Sequence, residues 1–188
     1  MSRLRIISGE FGGRFIKAPS GRTTHPMGDR VRQALFNRLD VQGKKVLDVF
    51  AGSGSLGLEA LSRGATSADF VDNDRSAQSI ISENIESLGV GEKAKVYRMS
   101  AHSFIANIGE KLSEDEKYDV IFIDPPYHYF EKKNYFSTAL EIKALAKSNG
   151  LMILSYPGRL SVPTVEGVVV GVSQSYGDAA LAVFRVDK

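Results

Sequence analysis

Residues Asp48-Val49-Phe50-Ala51-Gly52-Ser53-Gly54-Ser55-Leu56-Gly57 run from an apolar stretch through closely spaced glycines directly into a segment of helical character. This feature restricts the fold more than any other in the chain. A strand that leaves through such a turn and enters a helix opens a βαβ unit, whose strands lie parallel. The missing side chains at Gly52 and Gly54 let a ligand approach the backbone, and Gly57 lets the helix pack on the strand. The rhythm then repeats. Strands are predicted at Val46–Phe50, Ala68–Asp72, Ala94–Met99, Tyr118–Asp124 and Leu151–Tyr156, with helices at Leu56–Arg63, Arg75–Leu88, Ala101–Leu112 and Lys133–Lys147 between them. Such alternation calls for an α/β fold with a parallel sheet covered on both faces. Two last apolar runs, Val165–Ser173 and Ala179–Val186, flank Tyr176-Gly177-Asp178 and read as an antiparallel hairpin on the sheet edge.

Upstream, Leu4-Arg5-Ile6-Ile7 and Arg14-Phe15-Ile16-Lys17 flank a turn containing Gly9, Gly12 and Gly13, which predicts a small N-terminal β-hairpin. A helix follows over Asp29–Leu39, where Val31, Ala34, Leu35 and Leu39 recur at helical spacing. The chain's 188 residues suit one domain with a small appendage, divided as a hairpin over 1–22 and a main domain over 23–188. No apolar run approaches the roughly 20 residues of a membrane span, and there is no signal-peptide core, so the cytoplasm is the expected address. With no cysteine, a disulfide framework, a thiolate nucleophile and a thiolate zinc site are excluded. His25, His102 and His128 are too scattered for a histidine metal centre, so no metal is expected. Charge is uneven: residues 1–45 hold ten Lys/Arg against three Asp/Glu, while the whole chain is only +2. A basic arm on a mildly acidic body fits a nucleic-acid partner, although a solvated basic surface would look the same.

Gly52, Gly54 and Gly57 satisfy the GxGxxG spacing shared by dinucleotide sites, and Asp72 ends the next strand at the distance suited to a ribose. Asp48 separates the two adenosyl ligands. A carboxylate just before the glycines repels a pyrophosphate but suits the ammonium of a methionine moiety, which favours S-adenosylmethionine over a nicotinamide cofactor. Asp72 is the choice for the ribose hydroxyls, with Asp74 as its rival. Ser100 and Ala101 follow the third strand, where they could meet an adenine edge; a helix N-cap role for Ser100 fits equally well.

The fourth strand opens into Asp124-Pro125-Pro126-Tyr127. Consecutive prolines fix φ, remove two N–H donors and extend the residue before each. They aim the Asp124 carboxylate and the Pro125 carbonyl as rigid acceptors at the carboxyl end of a strand, where open α/β sheets bind ligands. A base's exocyclic amino group is a poor nucleophile because its lone pair is delocalised. Two acceptors that bind both amino hydrogens favour a pyramidal nitrogen, and the carboxylate matches the positive charge that develops there. Tyr127 is placed to stack on an extruded base.

DVFAGSG followed by DPPY resembles the amino-group methyltransferases of nucleic acids. RIISGEFGGRFIKAP, DRVRQALFNRL, LGLEALSRGA and SYGDAALAVF narrow the resemblance to the RsmD family of bacterial 16S ribosomal RNA (guanine-N2)-methyltransferases, over nearly the whole chain. The resemblance implies a class I, Rossmann-like sheet and transfer of one methyl from S-adenosylmethionine to a guanine 2-amino group in the helix 31 loop of 16S rRNA. The partner would be that rRNA or the assembling small ribosomal subunit, and the chain a monomer. It places Asp48, Phe50, Gly52, Gly54 and Asp72 at the cofactor and Asp124 through Tyr127 at the target base. Arg3, Arg5, Arg14 and Lys17 of the hairpin would grip RNA phosphate. The chain departs from the family at His25-Pro26-Met27, where Arg-Pro-Thr is usual, at Ser100 in place of Asp or Asn, and at Ser155 in place of Glu. The resemblance leaves open whether Arg30 or Arg32 supplies the lost contact. Competing readings are a DNA adenine-N6 methyltransferase, a protein glutamine methyltransferase (which normally has Asn at the Asp124 position), an NAD-dependent oxidoreductase and an RNA-binding module with a degenerate pocket.

Overall fold

The computed structural model describes residues 2–19, 27–126, 129–130, 141–162 and 167–187. A two-stranded hairpin, β1 (Ser2–Arg5) and β2 (Phe15–Ala18), precedes helix α1 (Asp29–Phe36). The main sheet is then laid down as β3 (Lys45–Val49), α2 (Ser55–Ser62), β4 (Ser67–Asp72), α3 (Arg75–Leu88), β5 (Ala94–Arg98), α4 (Ala101–Asn107) and β6 (Tyr118–Ile123). It finishes with β7 (Ala146–Pro157), β8 (Val168–Tyr176) and β9 (Ala179–Val186). Spatial order is β5-β4-β3-β6-β7-β9-β8, with the first five strands parallel and β9 antiparallel to both neighbours. The predicted parallel sheet, its closing hairpin and the N-terminal hairpin are all present. The order reverses direction between β3 and β6, and at such a switch point the loops diverge and leave a crevice at the carboxyl ends of the strands.

Two apolar layers sandwich the sheet. Val46, Phe70, Val120, Phe122 and Ile153 pack on one face against α1, α2 and α3. Leu47, Val49, Val71, Ile121, Ile123 and Leu154 pack on the other, with Phe104 of α4. Strand alternation therefore divides each strand between two cores, as expected of a sheet buried on both sides. The N-terminal hairpin shares the first core through Ile6 and Ile16. Its turn is pressed onto the end of α2: a side chain at Gly9 (φ +84°) would begin 1.9 Å from the Ser62 carbonyl oxygen. Buried Glu59 accepts the Ile7 and Ser8 N–H groups at 2.7 and 3.1 Å and the Arg63 Nε–H at 2.7 Å. Among the described residues, no helix is long and apolar enough to cross a membrane.

Several boundaries differ from expectation. The predicted helix Lys133–Lys147 falls largely outside the described residues, and its end is corrected: residues 141–143 are helical, but β7 has already begun at Ala146. The early start is an irregular one, with left-handed Asn149 (φ +63°) and a register shift opposite Tyr118–Val120, which hides the strand from a periodicity of two. Helix α4 stops at Asn107 rather than Leu112. A tight turn follows at Gly109, whose missing side chain leaves room for Leu145. Helix α1 ends three residues before Leu39, and β8 extends to Tyr176 rather than Ser173.

Candidate active site

Strand alternation and register bring four polar side chains to one place. Asp48 pairs with Phe70 on one side and with Phe122 on the other, and Phe122 in turn with Ile153. Counting two residues on from these partners, Asp72, Asp124 and Ser155 point to the same face as Asp48, one level nearer the carboxyl end. Three lie in strands β4, β3 and β7, and Asp124 directly follows β6 between β3 and β7, all at the switch point. None of the three carboxylates forms an ion pair among the described residues.

Asp48 lies beneath the glycine-rich loop, 1% exposed, where its carboxylate accepts the Gly57 N–H at 2.9 Å. Burial holds this carboxyl well above the usual carboxylate range; the Gly57 N–H opposes the rise, and the nearby Asp124 and Asp72 add to it. The loop above it is strained. Phe50 has φ +62°, rare for an aromatic residue, and its N–H and that of Ala51 both donate to the Val71 carbonyl, at 3.0 and 3.2 Å. Gly52 (φ +57°) faces open space; the nearest atom to where its side chain would begin is the Phe50 oxygen at 3.9 Å. Gly57 has the opposite surroundings, since a Cβ there would meet the Phe70 ring at 2.4 Å. The first glycine exposes backbone to a ligand and the last admits the β4 ring beneath α2.

Asp72 accepts the Gly52 N–H at 2.9 Å and the Asp74 N–H at 2.8 Å, one on each oxygen. Each oxygen keeps a second lone pair for a ribose hydroxyl. Asp74 caps α3, accepting from Ser76 and Ala77, and those hydrogen bonds hold its carboxyl below the usual range. Ser100 caps α4: its hydroxyl accepts the Ser103 N–H at 3.1 Å and donates to the Ser103 hydroxyl at 2.9 Å.

Asp124 follows β6 with its N–H directed at the Val49 carbonyl, 3.4 Å away. Burial pushes its carboxyl up to about 6, against a hydrogen bond from the Ser155 hydroxyl that lowers it. The Pro126 carbonyl accepts the Tyr129 N–H at 2.9 Å, whereas no donor among the described residues meets the Pro125 carbonyl. Tyr127 lies outside the described residues. Tyr129 stands edge-on to Phe50, ring centres 5.0 Å apart.

These groups line a cleft of about 1300 Å³. Of the residues expected there, Phe50, Gly52, Asp72, Ser100, Ala101, Asp124, Pro125 and Pro126 reach it; Asp48 and Gly54 support the loop from below. In the β3–β4 half of the cleft, bare backbone at Gly52 and the Asp72 carboxylate adjoin, the two features that could hold an adenosyl ligand. Sequence reasoning missed Tyr129, Tyr176 and Arg159, the single cation lining the cleft among the described residues. Arg159 follows the carboxyl end of β7, and the rule that ligands gather at such ends could have singled it out.

The four hairpin cations differ. Arg3 and Arg5 are exposed on β1. Arg14 is tied back, donating to the Ser87 carbonyl and lying 5.8 Å from the Phe11 ring centre. The Lys17 ammonium pairs with Glu83 of α3. Arg32 is 0% exposed and donates to the Arg5 carbonyl at 2.6 Å and to Asp29 at 2.9 Å, leaving its Nε without a partner. It is a buried tether between the hairpin and α1. His25 and Pro26 lie outside the described residues, and Met27 is buried against the first core.

The family described as conserved hypothetical protein 95 matches residues 4–185. The Bacillus subtilis protein named "Putative rRNA methyltransferase YlbH" is 32% identical over 185 residues, covering 97% of this chain and 98% of that protein. Ribosomal RNA small subunit methyltransferase D of Escherichia coli is 39% identical over 127 residues, covering 66% of this chain and 61% of that one. Among solved structures, one described as "Putative methyltransferase yhhF from Escherichia coli" superposes with a TM-score of 0.84 at 29% identity, over 99% of both chains. A more distant fold relative, SMU.776, was crystallised in complex with SAH; it has a TM-score of 0.69 at 18% identity over 84% of this chain and 48% of its own.

Proposed function

This chain belongs to the family described as conserved hypothetical protein 95 and has the fold of the S-adenosylmethionine-dependent methyltransferases, and from that premise we propose that it methylates the 2-amino group of a guanine in 16S rRNA, in the helix 31 loop. The observation that carries the reading is the Asp124-Pro125-Pro126 acceptor set, fixed beside the glycine-rich loop at the switch point of the sheet. S-adenosylmethionine supplies an electrophilic methyl on a sulfonium centre. The chain's own groups prepare the nucleophile. The Asp124 carboxylate accepts one amino hydrogen and the Pro125 carbonyl the other, so the nitrogen lone pair is freed from the ring. The Ser155 hydroxyl holds the carboxylate in place and favours its ionised form. That negative charge is matched to the positive charge that develops on nitrogen in the transition state.

Gly52 and Asp72 receive the methionine and ribose portions of the cofactor, Ser100 and Ala101 border its adenine, and Asp48 braces the loop through Gly57. Tyr127 is assigned to the target base. RNA is favoured over duplex DNA by the small basic hairpin docked beside the cleft and by the two relatives named as ribosomal RNA methyltransferases. The test is methyl transfer from labelled S-adenosylmethionine to 16S rRNA and small ribosomal subunits lacking the modification. One methyl per rRNA, recovered as N2-methylguanosine, is expected. Label recovered as N6-methyladenine in DNA, with none in rRNA, would overturn the proposal.

A further inference from the structure

The register of the N-terminal hairpin pairs Arg3 with Lys17 and Arg5 with Phe15. Residues directly opposite one another in an antiparallel pair share a face, so Arg3, Arg5, Phe15 and Lys17 all lie on one side. The alternate residues Leu4, Ile16 and Ala18 turn to the body of the protein, with Ile16 and Ala18 buried. Phe15 is left 61% exposed, the only aromatic ring among the large hydrophobic side chains exposed on the described surface. Slippage by one residue would bury it, but would expose Ile16; the strand's alternation holds the ring outward. The surface is also held rigidly. Asn84, buried on α3, accepts the Lys17 N–H at 2.8 Å and donates to the Lys17 carbonyl at 2.9 Å. The same Asn84 amide donates to the Ser53 carbonyl of the glycine-rich loop at 2.9 Å, fixing the hairpin relative to the cleft.

We propose that this outer face is a stacking platform for an unpaired base of single-stranded RNA next to the target nucleotide, with the Phe15 ring taking the base and Arg3 and Arg5 the flanking phosphates. The inference rests on the rRNA reading above. An exposed ring by itself would suit many partners; its setting does not. Arg3 and Arg5 share its face with no ion pair among the described residues, and Lys17 is matched by a single acid, Glu83. A chain that carries flat π faces and regular negative charge complements that surface. Position agrees with this. Phe15 lies three residues, about 10 Å, along β2 from Ala18, and Ala18 and Pro19 line the cleft. RNA with its target base in the cleft would pass the ring within a few nucleotides.

The experiment measures binding of a fluorescent single-stranded oligoribonucleotide of the target-loop sequence, across salt concentrations, to the full chain and its variants. Phe15→Ala should weaken binding by roughly fivefold or more with an unchanged salt slope, because stacking releases no counterions. Phe15→Tyr should bind as wild type. Arg5→Ala should weaken binding and reduce the salt slope by about one. In turnover, Phe15→Ala should raise the KM for rRNA in step with its loss of affinity, a change that Phe15→Tyr should not show. Wild-type RNA affinity in Phe15→Ala would overturn the platform. So would a loss seen with assembled ribosomal subunits and not with naked RNA, which would seat the ring against a protein. Binding and turnover are read separately. Phe15-dependent RNA binding with no methylation of rRNA would sink the proposed function and uphold the platform.

Discussion

The two ends of the central sheet treat their carboxylates in opposite ways. Towards the amino end, Asp119 accepts the Lys45 N–H at 2.8 Å and faces the Lys147 ammonium at 3.3 Å, while Asp69 accepts the Tyr118 hydroxyl at 2.6 Å. Each has a dedicated donor, and the Lys45 ammonium lies 4.6 Å from the Tyr118 ring centre. At the carboxyl end, Asp48 and Asp124 lie close together with no ion pair among the described residues, and both are pushed up by burial. Phe50, with its positive φ, sits there as well, together with left-handed Gly52 and Gly54. One end is arranged to hold the fold together. The other leaves buried carboxyls without an ion pair among the described residues and holds Phe50 at a positive φ, as sites of chemistry commonly do.

Exchanging carboxylates between these roles gives the largest expected effect. Asp124→Asn should lower methyl transfer by about 10²-fold or more, since it removes an acceptor matched to the developing charge. S-adenosylmethionine affinity, measured by calorimetry, should stay near wild type. The same variant should be more stable than wild type at neutral pH. A carboxyl with a raised folded pKa binds its proton more tightly when folded. Wild-type stability from this group is therefore full below the unfolded value, about 3.9, and is lost as pH rises through about 6. Thermal midpoints of wild type and Asp124→Asn should thus differ more at pH 8 than at pH 4. Asp119→Asn, at the other end, should lower stability slightly and leave turnover unchanged.

Next in size is Gly57→Ala. The added methyl would enter the Phe70 ring, costing about 1–3 kcal/mol in denaturant unfolding as overpacking does. Gly52→Ala meets no neighbour, so its cost is backbone strain of about 1–2 kcal/mol together with weaker cofactor binding.

That contrast between two glycines of one motif also shows how far the sequence was legible. Strand, loop and helix are local in the chain, so Asp48–Gly57 and Asp124–Pro126 disclosed both their elements and their place at strand ends. Which glycine faces a ligand and which faces a ring depends on Phe70, brought in by the next strand. The partnership of Ser155 with Asp124 is likewise set by the β6–β7 register, and the irregular start of β7 at Ala146 masked that register. The basic hairpin was visible as charge and alternation, but its docking was not. Glu83, Asn84 and Ser87 come from a helix some 70 residues away, and they remove Lys17 and Arg14 from the free cations expected. Arg32, read as an open question, is buried because the hairpin closes over it.

Smaller effects should separate the two ends further. Ser155→Ala removes the hydrogen bond that lowers the Asp124 pKa. Its activity should fall several-fold near pH 6 and recover towards wild type at pH 8. A loss equal at both values would mean that Ser155 acts in some other way. Tyr118→Phe should be the mildest: about 1 kcal/mol of stability from the hydrogen bond to Asp69, with turnover of the folded protein unaffected.

The most direct measurement is the pH dependence of kcat/KM for methyl transfer to unmethylated 16S rRNA, in wild type and Asp124→Asn, with the product identified by mass spectrometry. Wild type should gain activity as pH rises, with a midpoint near 6, and yield N2-methylguanosine, while Asp124→Asn stays close to background throughout. Wild-type turnover by Asp124→Asn above pH 7 would contradict the role given to the unpaired carboxylate at the open end of the sheet.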